Sequence, residues 1–168
     1  MESARVLRVL GVLALVATTV PAFAHSASDH CPGYADSTLP QIVGTSAADA
    51  LVGSSDDEVI CGLGDDDVLY GRGGDDVLLG GAGIDDLEGG ADADLLKGGG
   101  DDDGLDGGAG DDELRGGKAD DVLQGSDGVD VLMGGPGSDI LDGGDGAPDM
   151  CLGGTGSDGI APSCEGGS

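Results

Sequence analysis

The chain has 168 residues, of which 37 are Gly and 34 are acidic, and its formal net charge at pH 7 is −28. This charge excludes nucleic acid as a natural partner, because a polyanion gains nothing by approaching phosphates, and it makes cations the expected partners. Aromatic residues are only 2% of the sequence, which excludes an ordinary core built on aromatic side chains.

The first 24 residues have the composition of an export signal. Arg5 and Arg8 precede the uncharged apolar run 9–20, and the segment ends in Ala22-Phe23-Ala24, which suits signal peptidase. The run is shorter than the roughly 18 residues that a membrane-spanning helix needs. We therefore expect residues 1–24 to be a cleaved signal peptide and the protein to be secreted to the extracellular space, without insertion into a membrane.

Residues 25–43 show no helical or alternating hydrophobic period and contain Pro32, Gly33 and Pro40. We interpret this segment as an irregular N-terminal lead that covers the open end of the repeats that follow.

Residues 44–142 form eleven consecutive nine-residue units without an insertion or a deletion. The first position of every unit is Gly, the sixth is acidic and the eighth is Leu or Ile. The acidic residues at the sixth position are Asp49, Glu58, Asp67, Asp76, Asp85, Asp94, Asp103, Asp112, Asp121, Asp130 and Asp139. Three coincident columns over so long a segment cannot arise from composition alone.

The nine-residue period favours strands over helices. Nine residues advance an α-helix by 2.5 turns, so successive aliphatic residues would lie on opposite faces of the helix. A strand at the last three positions points the eighth side chain inward and its neighbours outward, while the Gly-rich first six positions permit a turn. The pattern predicts an all-β solenoid with two units per coil, two thin sheets and an aliphatic interior, roughly 26 Å long.

The stacked turns also predict a bound cation. They bring the acidic residue of one unit close to that of the unit two later, and like carboxylates repel each other. Calcium accepts carboxylates and main-chain carbonyls in flexible geometry, whereas magnesium demands a stricter octahedron. Zinc prefers His or Cys, and the array contains no His and only Cys61. We therefore expect several calcium ions.

After Asp142 the frame slips by one residue and resumes as a partial unit at Gly153–Ile160, with Asp158 at its acidic position. Solenoids need atypical terminal repeats that cover their ends. We interpret residues 143–168 as an imperfect terminal repeat and a C-terminal cap, and we count Asp158 among the candidate metal ligands.

The four Cys lie at the two ends of the array, and export to an oxidising compartment predicts that they form disulfides. Sequence alone permits three connectivities. We expect local pairing, Cys31 with Cys61 and Cys151 with Cys164, because each bridge would then fasten one end of the array.

The unit Gly80-Gly81-Ala82-Gly83-Ile84-Asp85-Asp86-Leu87-Glu88 resembles the Gly-Gly-x-Gly-x-Asp-x-U-x repeat of the RTX, or haemolysin-type, calcium-binding proteins. The resemblance implies a right-handed parallel β-roll in which the sixth-position carboxylates and turn carbonyls of a unit and of the unit two later share one calcium ion. Eleven units then allow up to about nine such ions. The pairs implied most directly are Asp67 with Asp85, Asp76 with Asp94, Asp94 with Asp112, and Asp121 with Asp139.

The chain departs from the family pattern at two places. The fourth position, Gly in the pattern, is replaced in six units, by Ala47, Asp56, Asp65, Asp92, Asp101 and Ala119. A non-Gly residue with positive φ is strained there, and Asp tolerates it better than Ala. The first two units also lack Gly at their second position and the second of them carries Glu58, so we expect incomplete calcium occupancy at this end.

No catalytic constellation accompanies the repeats. The sequence contains neither a His-Glu-x-x-His nor a Gly-x-Ser-x-Gly motif, and both His residues precede the array. We expect a non-enzymatic calcium-binding protein that folds as calcium loads. Two alternatives remain open, namely a calcium-dependent adhesion module that recognises a cell-surface glycan or protein, and an accessory partner of a separately encoded secreted hydrolase.

Overall fold

The computed structural model describes residues 31–34, 37–146 and 148–164. The predicted signal peptide, 1–24, lies outside the described residues. The described residues form strands and turns: β1 (Gln41–Val43), β2 (Ala50–Val52), β3 (Val59–Cys61), β4 (Val68–Gly73), β5 (Val77–Ala82), β6 (Asp86–Ala91), β7 (Leu95–Gly100), β8 (Gly104–Ala109), β9 (Glu113–Gly117), β10 (Val122–Gly128), β11 (Val131–Pro136), β12 (Ile140–Asp142), β13 (Asp145–Gly146), β14 (Met150–Thr155) and β15 (Gly159–Ile160). Within those ranges no helix is long and apolar enough to cross a membrane.

Consecutive strands alternate between two parallel sheets. The first sheet has the order β1-β3-β5-β7-β9-β11-β14, and the second has the order β15-β12-β10-β8-β6-β4-β2, with β13 paired to β10. Residues eighteen positions apart lie side by side, such as Leu69 and Leu87 in the second sheet and Leu78 and Leu96 in the first. Two nine-residue units therefore make one coil, and the predicted all-β parallel β-roll is confirmed.

The eighth-position side chains fill the space between the two sheets, as predicted. Leu51 at the N-terminal end is partly buried, and the other ten form one continuous cluster in which each residue is at most 3% exposed: Ile60, Leu69, Leu78, Leu87, Leu96, Leu105, Leu114, Leu123, Leu132 and Leu141. Because each unit contributes a single inward aliphatic side chain, the interior is only one layer of side chains thick. Apolar burial is therefore limited, and the stability of the roll depends strongly on the interactions made in its turns.

The strands are longer than the sequence predicts. Full-length strands such as β4 and β5 cover six residues, which are the last three positions of one unit and the first three of the next. Only positions four to six bend. Glycine in the first three positions therefore serves close packing in addition to turning, since an ideal Cβ on Gly71 would lie 2.5 Å from Oδ2 of Asp76.

The lead covers the outer face of the first sheet at its N-terminal end. Cys31 is bonded to Cys61, with 5.7 Å between their Cα atoms, and Tyr34 and Leu39 pack with Val59 in a second apolar cluster. The Gln41 side chain fixes the lead from β1, because its Oε1 accepts the Cys31 N–H at 3.1 Å and its Nε2 donates to the Tyr34 carbonyl at 2.7 Å.

At the other end, Cys151 of β14 is bonded to Cys164, with 5.5 Å between their Cα atoms. Both predicted disulfide pairings are thus confirmed. Cys151 pairs in register with Leu132 and is fully buried, so it occupies the place of the aliphatic rib in the last coil.

Candidate metal centre

The sixth-position carboxylates stack in two files along the roll, one at each line of turns. In every step the backbone N–H of one acidic residue donates to Oδ1 of the next, over 2.8–3.1 Å. The first file is Asp49, Asp67, Asp85, Asp103, Asp121, Asp139 and Asp158. The second file is Glu58, Asp76, Asp94, Asp112, Asp130 and Asp149.

The four pairs that the family resemblance implies are adjacent members of these files. The N–H···Oδ1 distance is 2.9 Å from Asp67 to Asp85 and 2.8 Å from Asp76 to Asp94. It is 2.8 Å from Asp94 to Asp112 and 3.0 Å from Asp121 to Asp139. The fold thus brings together the side chains that the sequence proposes as joint ligands.

Sequence reasoning missed Asp149. This residue is 1% exposed and receives the Asp130 N–H at 3.0 Å, so it holds the sixth-position place of a twelfth unit. That unit opens with Gly143-Gly144 and contains one extra residue, which moves its acidic residue one position late. The two glycines mark the start of this unit in the sequence. If one inserted residue is allowed, Asp149 falls at the acidic position of the unit.

The second carboxylate oxygen distinguishes most of these residues from ordinary buried acids. In ten of them Oδ2 is buried and accepts no hydrogen bond from the described residues: Asp67, Asp76, Asp85, Asp94, Asp103, Asp112, Asp121, Asp130, Asp139 and Asp149. Burying a polar oxygen without a partner costs about 1–3 kcal/mol, and more for a charged group. An array of such oxygens fits the binding of cations.

The donor set fits calcium. Carboxylates and main-chain carbonyls are hard oxygen ligands that calcium accepts in variable number and geometry. The described residues contain no cluster of three or more His, Cys, Asp or Glu side chains poised for one ion. Each site would therefore combine the carboxylates of two successive coils with carbonyls of the turn backbone.

In the first two units, the sixth-position carboxylates accept hydrogen bonds from protein donors. Thr45 donates to Oδ2 of Asp49 through its N–H at 2.6 Å and its hydroxyl at 2.9 Å. Ser54 likewise donates its N–H to Oε2 of Glu58 at 3.0 Å and its hydroxyl to Oε1. The side chains that replace Gly at position two therefore supply the donors that the other units lack.

Burial raises the pKa of the stacked aspartates, and the neighbouring carboxylates add to the effect. For Asp103 the largest cause is burial, the Asp85 N–H opposes it, and the charges of Asp85 and Asp121 raise the pKa further, to about 7. The pKa of Asp94 is also raised to about 7, mainly by burial. Burial likewise raises the pKa to about 6 at Asp76, Asp85, Asp112 and Asp121.

Several non-glycine residues in and beside the turns adopt the left-handed backbone conformation. Of the fourth-position substitutions, Asp65, Asp92, Asp101 and Ala119 have φ between 68° and 77°, whereas Ala47 and Asp56 in the first two units do not adopt positive φ. At the second position Leu63, Arg72 and Ser126 have φ between 77° and 88°, which the sequence analysis did not anticipate. From the third unit on, the left-handed turn geometry is thus kept even where glycine is replaced.

Parallel strands, a one-rib interior and two files of stacked carboxylates define a solenoid of the metal-binding β-roll class. The chain matches the family model of the RTX calcium-binding nonapeptide repeat over residues 43–78, 52–87, 79–114, 115–150 and 124–160. These segments cover well over half of the sequence, and the chain belongs to this family of calcium-binding repeat proteins. No curated protein matches it significantly.

Proposed function

We propose that this protein is an exported, non-enzymatic calcium-binding protein whose roll orders as calcium loads. The observation that supports this most directly is the stack of ten buried Oδ2 atoms without a hydrogen-bond donor among the described residues. Without a cation, these charges repel each other along each file. With calcium between successive coils, the same carboxylates link the coils.

The two files offer nine adjacent pairs once Asp49 and Glu58, which have protein donors, are set aside. Five of these pairs lie in the first file, from Asp67 to Asp158, and four lie in the second, from Asp76 to Asp149. Nine sites at ten times their dissociation constant would each contribute about 1.4 kcal/mol, or roughly 13 kcal/mol together. This is comparable to the whole stability of an ordinary domain.

Circular dichroism of the secreted protein, with calcium and after its removal, tests the coupling between calcium and folding. We expect the β signal to disappear on calcium removal and to return cooperatively on titration. A calcium-free protein that keeps its full β spectrum at neutral pH would contradict the proposal. Isothermal titration would count the ions, with about nine expected.

Export is supported by residues 1–24 and by the pairing of all four Cys, since disulfides persist in oxidising compartments. N-terminal sequencing of the protein recovered from the culture medium tests this point, with His25 expected as the first residue. Recovery of uncleaved chain from the cells alone would contradict it. Adhesion to an envelope component and recruitment by a hydrolase stay predictions, for which pull-down with and without calcium is the test.

A further inference from the structure

The two ends of the roll differ in how the protein itself satisfies their carboxylates. At the N-terminal end, Thr45 donates to Asp49 and Ser54 donates to Glu58, so both files begin with a carboxylate that has protein donors. At the C-terminal end, Asp149 is the last member of the second file, and its buried Oδ2 accepts no hydrogen bond from the described residues. The N-terminal end therefore carries less unbalanced charge.

The lead also adds a second apolar layer at the N-terminal end. Tyr34 and Leu39 pack in one cluster with Val43 of β1, Val59 of β3 and Val77 of β5. These three strands are neighbours in the first sheet. Successive coils are thus held from the outside by the lead and from the inside by the aliphatic interior.

The two disulfides differ in the length of chain that they close. The Cys31–Cys61 bridge joins residues 30 positions apart, whereas the Cys151–Cys164 bridge joins residues 13 positions apart. A longer closed loop removes more conformational freedom from the unfolded chain. At the C-terminal end, Ile160 and Cys164 pack on the aliphatic interior but are only partly buried. The described part of the lead and the first two units, up to Cys61, form what we call the anchored end.

Each file passes at the anchored end from a carboxylate with protein donors to one without. Oδ1 of Asp67 accepts the Asp49 N–H at 2.8 Å, and Oδ1 of Asp76 accepts the Glu58 N–H at 2.8 Å. Because Asp49 and Glu58 belong to the anchored end, they position Asp67 and Asp76 before the next coil is ordered. The first calcium site of each file therefore has one of its two carboxylates already in place.

We propose that calcium loads from the anchored end towards the C-terminal end of the roll, one coil after another. A site in the middle requires two disordered coils to order together, and lost chain entropy is the main cost of that ordering. A site beside the anchored end requires only one, so it binds calcium more tightly. Each newly ordered coil then supplies the first carboxylate of the next site, as expected when a solenoid is stabilised through neighbouring repeats.

This inference rests on the proposed function, because it assigns an order of filling to the same calcium sites. Amide hydrogen exchange of the secreted protein, followed by mass spectrometry through a calcium titration at pH 7.5, measures that order. We expect peptides from β3–β5 to gain protection at a calcium concentration at least twofold lower than peptides from β11–β14.

Two other outcomes have separate meanings. Equal midpoints in all peptides, or protection that appears first in β11–β14, would overturn the order of loading and leave calcium-coupled folding intact. Protection that does not respond to calcium in any peptide would overturn the proposed function and this inference with it.

Thr45→Val with Ser54→Ala removes both hydroxyl donors from the anchored end. We expect the calcium midpoint of the β3–β5 peptides to rise at least twofold, with the number of bound ions unchanged. Ser46→Ala with Ser55→Ala is the matched control, since these exposed serines directly follow the two donors, and it is expected to behave like the wild type. A donor variant with the wild-type midpoint in β3–β5 would overturn the proposal.

A second pair of variants tests the direction. Asp85 and Asp139 belong to the same file, are at most 2% exposed, and accept an N–H at Oδ1 over 2.9 and 3.0 Å. Replacement by Asn keeps that acceptor and removes the charge. We expect Asp85→Asn to raise the midpoint of the β11–β14 peptides at least twofold, and Asp139→Asn to leave the midpoint of the β3–β5 peptides unchanged.

The reverse pattern, or equal effects of the two Asn variants on the distant end, would overturn the direction of loading. Circular dichroism at saturating calcium checks that each variant reaches the folded state. The comparison of wild-type peptides needs no substitution, so the order of loading stays testable even where a variant does not fold.

Discussion

At the scale of single residues, most of the sixth-position aspartates make three hydrogen bonds and leave their Oδ2 atom without a donor. Asp85, for example, donates its N–H to Asp103, accepts the Asp67 N–H at Oδ1 and accepts the Gly104 N–H at its carbonyl. Only its Oδ2 accepts no hydrogen bond from the described residues. The same residue therefore builds the backbone ladder and offers a charged ligand beside it.

Replacing Asp103 by Asn tests the ligand role, because the amide keeps an acceptor for the Asp85 N–H but removes the charge. We expect isothermal titration to find about two fewer calcium ions, those shared with Asp85 and Asp121. Asp102→Asn is the matched control, since Asp102 is an exposed neighbour that accepts the Asp120 N–H at 3.0 Å. An unchanged ion count in the Asp103 variant would contradict the assignment.

The hydroxyl of Ser54 leads to a second residue-scale prediction. Ser54→Ala removes the donor to the buried Glu58 carboxylate, and we expect a loss of about 1 kcal/mol in the free energy of unfolding in saturating calcium. The calcium count should not fall, because Glu58 already has protein donors. Ser55→Ala, at the exposed next residue, is expected to be neutral. Urea denaturation measures both variants, and equal losses in the two would argue against the hydroxyl's role.

At the scale of the elements, each unit is a six-residue extended segment followed by a three-residue bend, and in most units the first residue of the bend has positive φ. The stacking is tight there, because an ideal Cβ on Gly83 would clash with the Asp65 carbonyl oxygen of the preceding coil. Residues other than glycine at these positions keep the bend at the expense of backbone strain.

Ala119, with φ of 72°, is the simplest such residue to relieve. Ala119→Gly is expected to stabilise the calcium-loaded roll by about 1 kcal/mol, because glycine adopts the left-handed conformation without a Cβ clash. Ala82→Gly is the matched control, since Ala82 lies in β5 without positive φ and loses β propensity on substitution. Thermal denaturation in excess calcium compares the two, and a destabilised Ala119 variant would contradict the strain argument.

At the scale of the whole molecule, the roll is two files of carboxylates on either side of a one-rib interior, closed by a disulfide at each end. The N-terminal end has protein donors for its carboxylates and a disulfide, and the C-terminal end has a disulfide, whereas the stacked carboxylates between them depend on neutralisation of their charge. Calcium and protons are two ways to achieve that neutralisation, and they compete for the same oxygens.

The raised pKa values therefore give a pH dependence of opposite sign in the two states. The pKa of Asp94 rises from 3.8 to about 7, so between about pH 4 and pH 7 the calcium-free roll binds more protons than the unfolded chain. Its stability is fully present at the acidic end and is lost as the pH rises through 7. Calcium affinity runs the other way and increases over the same interval.

We expect calcium-free protein, prepared by dialysis, to show more β signal in circular dichroism at pH 4.5 than at pH 7.5. Calcium titrations at pH 5.5 and 7.5 should give the weaker affinity at the lower pH. A calcium-free β signal that increases toward neutral pH would show that burial of the carboxylates does not control folding.

The sequence left three disulfide connectivities open, but by itself it determined the period, the inward aliphatic rib and the pairing of carboxylates eighteen residues apart. Each of these follows from local repetition: once Leu87 points inward and Asp85 lies in a bend, every unit built alike must do the same. The twelfth acidic position at Asp149 fell outside this logic, because one inserted residue broke the period.

The tertiary structure alone decided which oxygens lack donors and which surfaces lie together. The Thr45 hydroxyl donates to Oδ2 of Asp49, whereas Gly81, at the equivalent place four residues before Asp85, has no side chain to donate. Only the folded bend shows this difference. The distribution of side chains between the two outer faces is equally hidden in the linear order. Successive units alternate between the sheets, so Lys97 and Glu88 are near in sequence and yet face opposite sides of the roll.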